Sequence, residues 1–404
     1  MSQTLGGRLP CPRAWEMGRT AILLGVLFLW ISARTCDAVE YTVVPSLFLR
    51  EQVNTNLLMT AAPHDTIWEY SLSPSVRGRA AMEQWEVSGD LSAVFSRFWK
   101  TEELDANDLF LKLSARYKGE LDTFGLEGSS AHDSTWRSEL QETGLVLGTG
   151  RRDLQIMNLT WNRVITERLS GVARYQFGDA RYSHQPPGLF NYQSHLATYD
   201  LTYALSEREQ VTGGAQLLSY QSSDAGIESN VAGVQFGFVH AFSETFHGTL
   251  LVGAREMWTT LSIGEFHRND RESGWLTEGT VDKRFERTQL QGSFSRRVDP
   301  SGAGYLLQVD HLWGSVDRSF TENTAGHLAA HFYQTHPLRN DLPISDSHSY
   351  SVEPRWSWKW AELWEAVLSY RYAAVTNERS NIRVASHSIS GMLTYHGPVW
   401  TSSR

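Results

Sequence analysis

Two histidines four residues apart, His327 and His331 in the run HLAAH, come nearest to a metal-site spacing. On a helix such a pair can hold zinc, but the hydrolytic form of that motif carries a Glu after the first His, where Leu328 stands here. The run instead sets Leu328, Ala330 and Phe332 against His327, Ala329, His331 and Tyr333, the alternation of a strand. Four residues along a strand span about 13 Å, too far for two bonds of about 2 Å to one ion. Both histidines are expected as polar residues of a strand face, and no metal or cofactor is expected.

Other chemistry fares similarly. His348-Ser349 and His387-Ser388 resemble hydrolase dyads, but neighbours on a strand point to opposite faces. There is no Gly-x-Ser-x-Gly elbow, and the expectation is no enzyme. The run from Leu104 through Asp105, Ala106 and Asn107 to Asp108 is rich in oxygen donors without the spacing of a calcium loop, and reads as a solvated turn. Asn158-Leu159-Thr160 matches a glycosylation sequon but lies inside a strand pattern. More informative are charges recurring on the polar side of alternating segments: Arg116, Arg174, Arg255, Arg355 and Arg371, with Asp200, Asp310 and Glu353. In a pore such charges set ion preference; paired across the wall they stiffen it. They are the expected lumen-lining residues.

The elements carrying them are strands. Residues 196–206 place Ala197, Tyr199, Leu201, Tyr203 and Leu205 on one face, Thr198, Asp200 and Thr202 on the other. Residues 350–360 set Tyr350, Val352, Trp356, Trp358 and Trp360 against Ser351, Glu353, Arg355 and Lys359. Such segments recur about eighteen times, sixteen to eighteen allowing for the less regular ones. Short connections such as 165–168, 205–208, 242–245 and 360–363 alternate with long ones at 131–153, 180–194, 259–272 and 336–347. That is the layout of an all-β transmembrane antiparallel barrel, with short periplasmic turns and longer extracellular loops.

A sandwich also alternates, so the outer medium must be argued. Aromatic residues flank the short turns, Phe242 and Phe246 at one, Trp360 and Trp364 at another, as interfacial girdles do. Lipid offers backbone groups no partners, which demands a closed sheet. For FVHAFSETFHGTLLVGA the expected register puts Phe238, Phe242, Phe246, Leu250 and Val252 toward lipid. Val239, Ala241, Thr249, Leu251 and Gly253 then face the lumen.

Residues 1–38 read as a secretory signal peptide, with Arg8, Arg13 and Arg19, an apolar run over 20–31 and a small-x-small site at Cys36-Asp37-Ala38. Residues 39–404 form the barrel. Both cysteines, Cys11 and Cys36, fall in the signal. The remainder carries (36 − 4) − (45 − 2) = −11, which argues against nucleic acid. Expected surroundings are the bacterial outer membrane and its lipid.

Two stretches carry a family resemblance. SRRVDPSGAGYLLQVD, from Ser295 to Asp310, has an Arg-x-Val-x-Pro-Ser-Gly hairpin leading into an alternating strand. YTVVPSLFLREQVNTNL has the form Pro-Ser-Leu-x-x-x-Glu. Together they resemble the outer-membrane β-barrel proteins of exosortase/PEP-CTERM exopolysaccharide loci, over most of residues 40–400. The resemblance implies a pore or accessory factor in exopolysaccharide export. Partners would be the polymer or its export machinery, and the barrel assembly machinery. It brings no catalytic residues. Barrel chains often end on an aromatic residue, whereas this one continues past Tyr395 and Trp400 through Thr401-Ser402-Ser403-Arg404. A non-conducting barrel that anchors polysaccharide machinery and a lipid hydrolase on a barrel wall are the alternatives.

Overall fold

The computed structural model describes residues 39–62, 64–137, 150–183, 188–338, 346–378 and 382–403. Residues 1–38, expected from sequence to be a signal peptide, lie outside them. Among the described residues no helix is long and apolar enough to cross a membrane; the chain crosses with strands. In order these are β1 (Glu40–Asn54), β2 (Ile67–Ala81), β3 (Trp85–Phe98), β4 (Ala106–Lys118), β5 (Asp122–Ser134) and β6 (Arg151–Val164). Then come β7 (Leu169–Ser183), β8 (Tyr192–Ala204), β9 (Glu209–Ser222), β10 (Ile227–Ser243), β11 (Phe246–Ile263) and β12 (Phe266–Arg284). The last are β13 (Thr288–Asp299), β14 (Leu307–Ser319), β15 (Thr324–Pro337), β16 (Ser347–Ala361), β17 (Trp364–Asn377), β18 (Ile382–His396) and a short β19 (Trp400–Ser403).

Each wall strand pairs antiparallel with the next, and β1 closes the ring against β18 from Ser46–His396 to Asn54–Ser388. After a break at 397–399, where the Gly397 amide donates to the Pro45 carbonyl (2.8 Å), β19 covers the start of β1 from Val43–Trp400 to Glu40–Ser403. Closure satisfies backbone groups that lipid would leave bare. Eighteen strands make a ring wide enough for a lumen.

Leu49, Leu91, Leu126, Tyr199, Val234, Leu250, Leu312 and Leu368 are all exposed and point outward. At the short-turn end a belt of rings runs from Trp85 through Tyr117 and Phe124 to Trp161, with centroid steps of 4.8, 6.4 and 6.3 Å. Phe242–Phe246 (4.5 Å) and Trp360–Trp364 (6.2 Å) continue it. An outward apolar wall above an aromatic belt, on a closed strand ring, is an outer-membrane barrel, and the bacterial outer membrane is its location.

The register of FVHAFSETFHGTLLVGA is as the alternation requires. Phe238 pairs with Leu250 and Phe236 with Val252 on the outer face, and Val239 pairs with Thr249. Leu250→Arg is therefore expected to destabilise the folded barrel by about 2–4 kcal/mol, and Thr249→Arg by far less. Urea titrations of vesicle-inserted protein measure both; equal losses would refute the register.

One long loop is not there. Residues 259–272 continue the ladder, with β11 and β12 joined through Gly264-Glu265 and Gly264 at φ +60°. Polar and charged residues there look loop-like in sequence but meet across the hairpin, the Thr260 hydroxyl donating to Asn269 Oδ1 (3.0 Å) and Arg271 pairing with Glu256. The connections expected at 131–153, 180–194 and 336–347 exist but are shorter, since the flanking strands reach Ser134, Arg151, Ser183, Tyr192, Pro337 and Ser347. Residues 138–149, 184–187 and 339–345 within them lie outside the described residues.

Candidate functional site

The lumen is filled unevenly. The β12–β13 ladder runs from Arg284–Gln289 only to Thr277–Arg296. Above that pair β12 stays with β11, while β13 and β14 leave together. Their connecting tip, residues 300–306, turns inward, because its sequence is apolar and needs a partner. Tyr305, Leu306, Leu307 and Val309 pack with Leu218, Tyr220, Ile227, Val231 and Met257 of β9–β11, and all are buried. These leucines and Val309 contribute about 1.5–3 kcal/mol each as an upper estimate. The Tyr220 hydroxyl donates to the Ser301 carbonyl (2.8 Å), and the Phe190 amide to the Gly302 carbonyl (2.8 Å). The stretch SRRVDPSGAGYLLQVD is thus an inward-folded arm.

A second inward structure moors the start of the β5–β6 connection. Glu69 of β2, buried, accepts from Arg50 (2.9 Å), Ser96 (2.8 Å) and Arg137 (3.0 Å). Asp108 of β4 accepts from Ser134 (3.1 Å) and Arg151 (2.6 Å), with Arg137 at 3.6 Å. Trp136 packs edge-on against Phe98, centroids 5.9 Å apart. Two buried carboxylates and three arginines hold one another, as buried charges must. The donors of the Leu104–Asp108 stretch are spent here and at Asp105, which caps the Phe98 amide (2.9 Å).

Beside these structures lies an open cavity of about 960 Å³, bordered by β1, β2 and β13–β18. It extends from the β12–β13 turn, Arg284 to Gln289, to Leu57, Met59, Trp136 and Arg137 near the outer loops. Among the described residues its wall carries seven arginines (Arg50, Arg137, Arg284, Arg287, Arg318, Arg355, Arg371) and four carboxylates (Glu69, Glu286, Asp317, Glu353), a difference of three positive charges. Between them the wall is paved with hydroxyls, including Ser357, Ser369, Ser386, Ser388 and Ser390.

The eight charged residues singled out by sequence are dispersed. Glu353, Arg355 and Arg371 border this cavity, Arg355 bonding Glu353 two residues away (2.5 Å). No carboxylate lies within ion-pair distance of Arg371 among the described residues. Arg116 is on the inner-face parity of β4, exposed, and opposite Glu86, which Arg79 takes (3.0 Å). Arg174 pairs with Asp200 (2.9 Å), whose other oxygen accepts from Gln235 (3.1 Å). That network passes over Gly214, where any Cβ would collide with the Asp200 carboxylate.

Arg255 is on the inner-face parity but covered. Its guanidinium lies over Gly274, its register partner on β12, and donates to Gln308 of the arm (2.9 Å). Asp310 is a correction. It shares the parity of Leu312, 53% exposed on the outer wall, and takes Arg296 (Nε–Oδ1 2.6 Å), which stacks on Trp275 (4.0 Å). The alternation misleads because Leu307 and Val309, apolar, face inward onto the arm's core.

Sequence reading missed Arg50, Glu69, Arg137 and Arg151, and took Asp108, which is buried in β4, for part of a solvated turn. Arg50 alternates with Gln52 and Asn54, a signal that was present; Arg137 comes from a connection without periodicity. His327 meets Asp317 (2.6 Å), His348 meets Glu378 (2.5 Å), and His387 meets the Tyr370 hydroxyl (2.8 Å). Ser388 lines the cavity while His387 is on the opposite strand face, so that dipeptide makes no dyad.

No protein-family model and no curated protein matches the chain. Among solved structures it is similar to OccK3 (OpdO) of Pseudomonas aeruginosa, at 11% identity over 89% of this chain and 96% of that one, TM-score 0.44. It is also similar to OccAB3 of Acinetobacter baumannii, at 8% identity over 90% and 99%, TM-score 0.47. A third is the copper transporter OprC, at 7% identity over 85% and 62%, TM-score 0.48.

Proposed function

We propose that this barrel is an outer-membrane pore whose open, arginine-rich lane favours small anionic solutes. The observation that carries the reading is the excess of arginine along the 960 Å³ cavity, set in a chain that is acidic overall. Fixed charges in a narrow, partly desolvated lane decide which ion enters. Apart from Glu69, Glu286, Asp317 and Glu353, the acidic residues lie off this lane, many in pairs such as Arg174–Asp200. Trp136 and Arg137 at the start of the β5–β6 connection border the lane near its outer end.

The finer reading is an acidic saccharide exported or taken up in an exopolysaccharide system. It is supported by the sequence resemblance, and by a lane in which serine hydroxyls alternate with arginines as partners for sugar hydroxyls and carboxylates. Planar-bilayer recording in a salt gradient tests the pore: the reversal potential is expected on the anion-selective side. Folded protein that stays silent would favour a structural barrel anchoring polysaccharide machinery. Cation selectivity would refute the proposed charge preference.

A further inference from the structure

His331, too far along its strand from His327 to share an ion with it, meets a different histidine across the sheet. His311 of β14 stands opposite Tyr333 of β15, and His331 is two residues from Tyr333 on the same inner face. His311 Nε2 and His331 Nδ1 are 3.2 Å apart. The ring centroids are 5.5 Å apart and the ring planes differ by 3°. A ring nitrogen sits about 1.15 Å from its centroid, given ring bonds of about 1.35 Å. Removing that radius twice from the centroid separation leaves about 3.2 Å, the observed nitrogen separation and the shortest the centroids allow. Both nitrogens therefore lie on the line of centroids and the two rings share one plane, an N–H···N hydrogen bond in which a tautomer shift of the donor ring would turn both lone pairs toward one ion. Tyr333 stacks on the face of His311 (4.1 Å, 5°) and fixes its rotation.

Head-on nitrogens suit one coordination geometry, a linear one. Among the described residues no group of three or more His, Cys, Asp or Glu gathers anywhere, so the donor set here is two imidazoles. Zinc wants four ligands in a tetrahedron, and square-planar copper(II) wants four in a plane. A soft monovalent d10 ion is satisfied by two nitrogens in line. With bonds of about 2 Å the nitrogens would stand about 4 Å apart, so each ring recedes by roughly 0.4 Å, within the swing of a side chain. Arg297 and Arg371 are in electrostatic reach, with Glu353 as the opposing charge. Those arginines repel a monovalent ion half as strongly as a divalent one.

We propose that His311 and His331 form a two-coordinate site on the lumen wall for a soft monovalent metal ion, cuprous or silver. The site is independent of which solute the pore carries. Silver ion is the probe, since it needs no reductant, used in chloride-free buffer on the full chain carrying Cys11→Ser and Cys36→Ser. Calorimetry is expected to show one silver ion per barrel, and X-ray absorption to show two nitrogen neighbours without sulfur. His311→Gln and His331→Gln should each weaken binding about tenfold or more, while His327→Gln, which disturbs only the pair with Asp317, should leave it unchanged. His331→Phe, closer in volume, is the second variant, and each barrel is verified by its heat-dependent gel shift. Binding that survives both His311→Gln and His331→Gln, sulfur in the metal shell, or displacement of silver by zinc would overturn the proposal.

Discussion

Gly304→Val is expected to free the inward arm and raise single-channel conductance severalfold. Gly304 adopts φ +88°, a conformation L side chains rarely take and a β-branched one least of all. A Cβ there would also stand 2.8 Å from Ala225 Cβ and 2.9 Å from Phe190 Cδ2. Strain and overlap act together, and neither neighbour is the loose end of a flexible chain. Beside the apolar core of Tyr305, Leu306, Leu307 and Val309, which the displaced tip would pull on, the arm is held by single hydrogen bonds of about 1 kcal/mol each, Tyr220 to Ser301 and Phe190 to Gly302. Once the tip lifts, the space beside β9–β11 joins the existing lane. The wall should survive, because the β12–β13 and β13–β14 ladders below the arm are untouched. Bilayer recording compares the two proteins; an unchanged conductance in a folded variant would mean the arm does not limit flow.

Reversing two lane charges should reverse ion preference. Arg287 and Arg371 both border the cavity, and neither has an ion-pair partner among the described residues. Arg287→Glu with Arg371→Glu changes the lane from three positive to one negative charge. The reversal potential in a salt gradient is expected to change sign, with conductance of the same order. Arg174→Glu, paired with Asp200 outside that cavity, should leave selectivity nearly where it was. If the double variant remains anion-selective, the lane's arginines do not set the preference.

The barrel was legible in the sequence because lipid imposes one rule on every strand. Phe238 against Val239, or Leu250 against Thr249, could be assigned from parity alone, since every outward position must be tolerable to hydrocarbon or its interface. Strand count and the short turns followed from the same rule. Asp310 was assigned to the wrong side because the rule has an exception where the lumen is dry. There, Leu307 and Val309 face inward and the polar residue faces out. Residues 259–272 were read as a loop because aqueous strands above the membrane need no apolar face. Arg355 and Arg371 were legible as inner-face parity, but not that Arg355 would meet Glu353 while Arg371 has no carboxylate within ion-pair distance among the described residues.

Sequence by itself thus determined what faces lipid: alternation, aromatic ends and a closed, helix-free wall follow from the cost of bare backbone and buried charge in hydrocarbon. The tertiary structure alone decided what the lumen is. The inward turn of residues 300–306 depends on a core built from β9, β10 and β11. The mooring of Arg137 joins carboxylates from β2 and β4, far apart in the chain. His331 carries no mark that His311, rather than His327, will be its partner; that follows from the register between β14 and β15. Contacts across strands are fixed by which residues lie opposite one another, and only the assembled wall sets that.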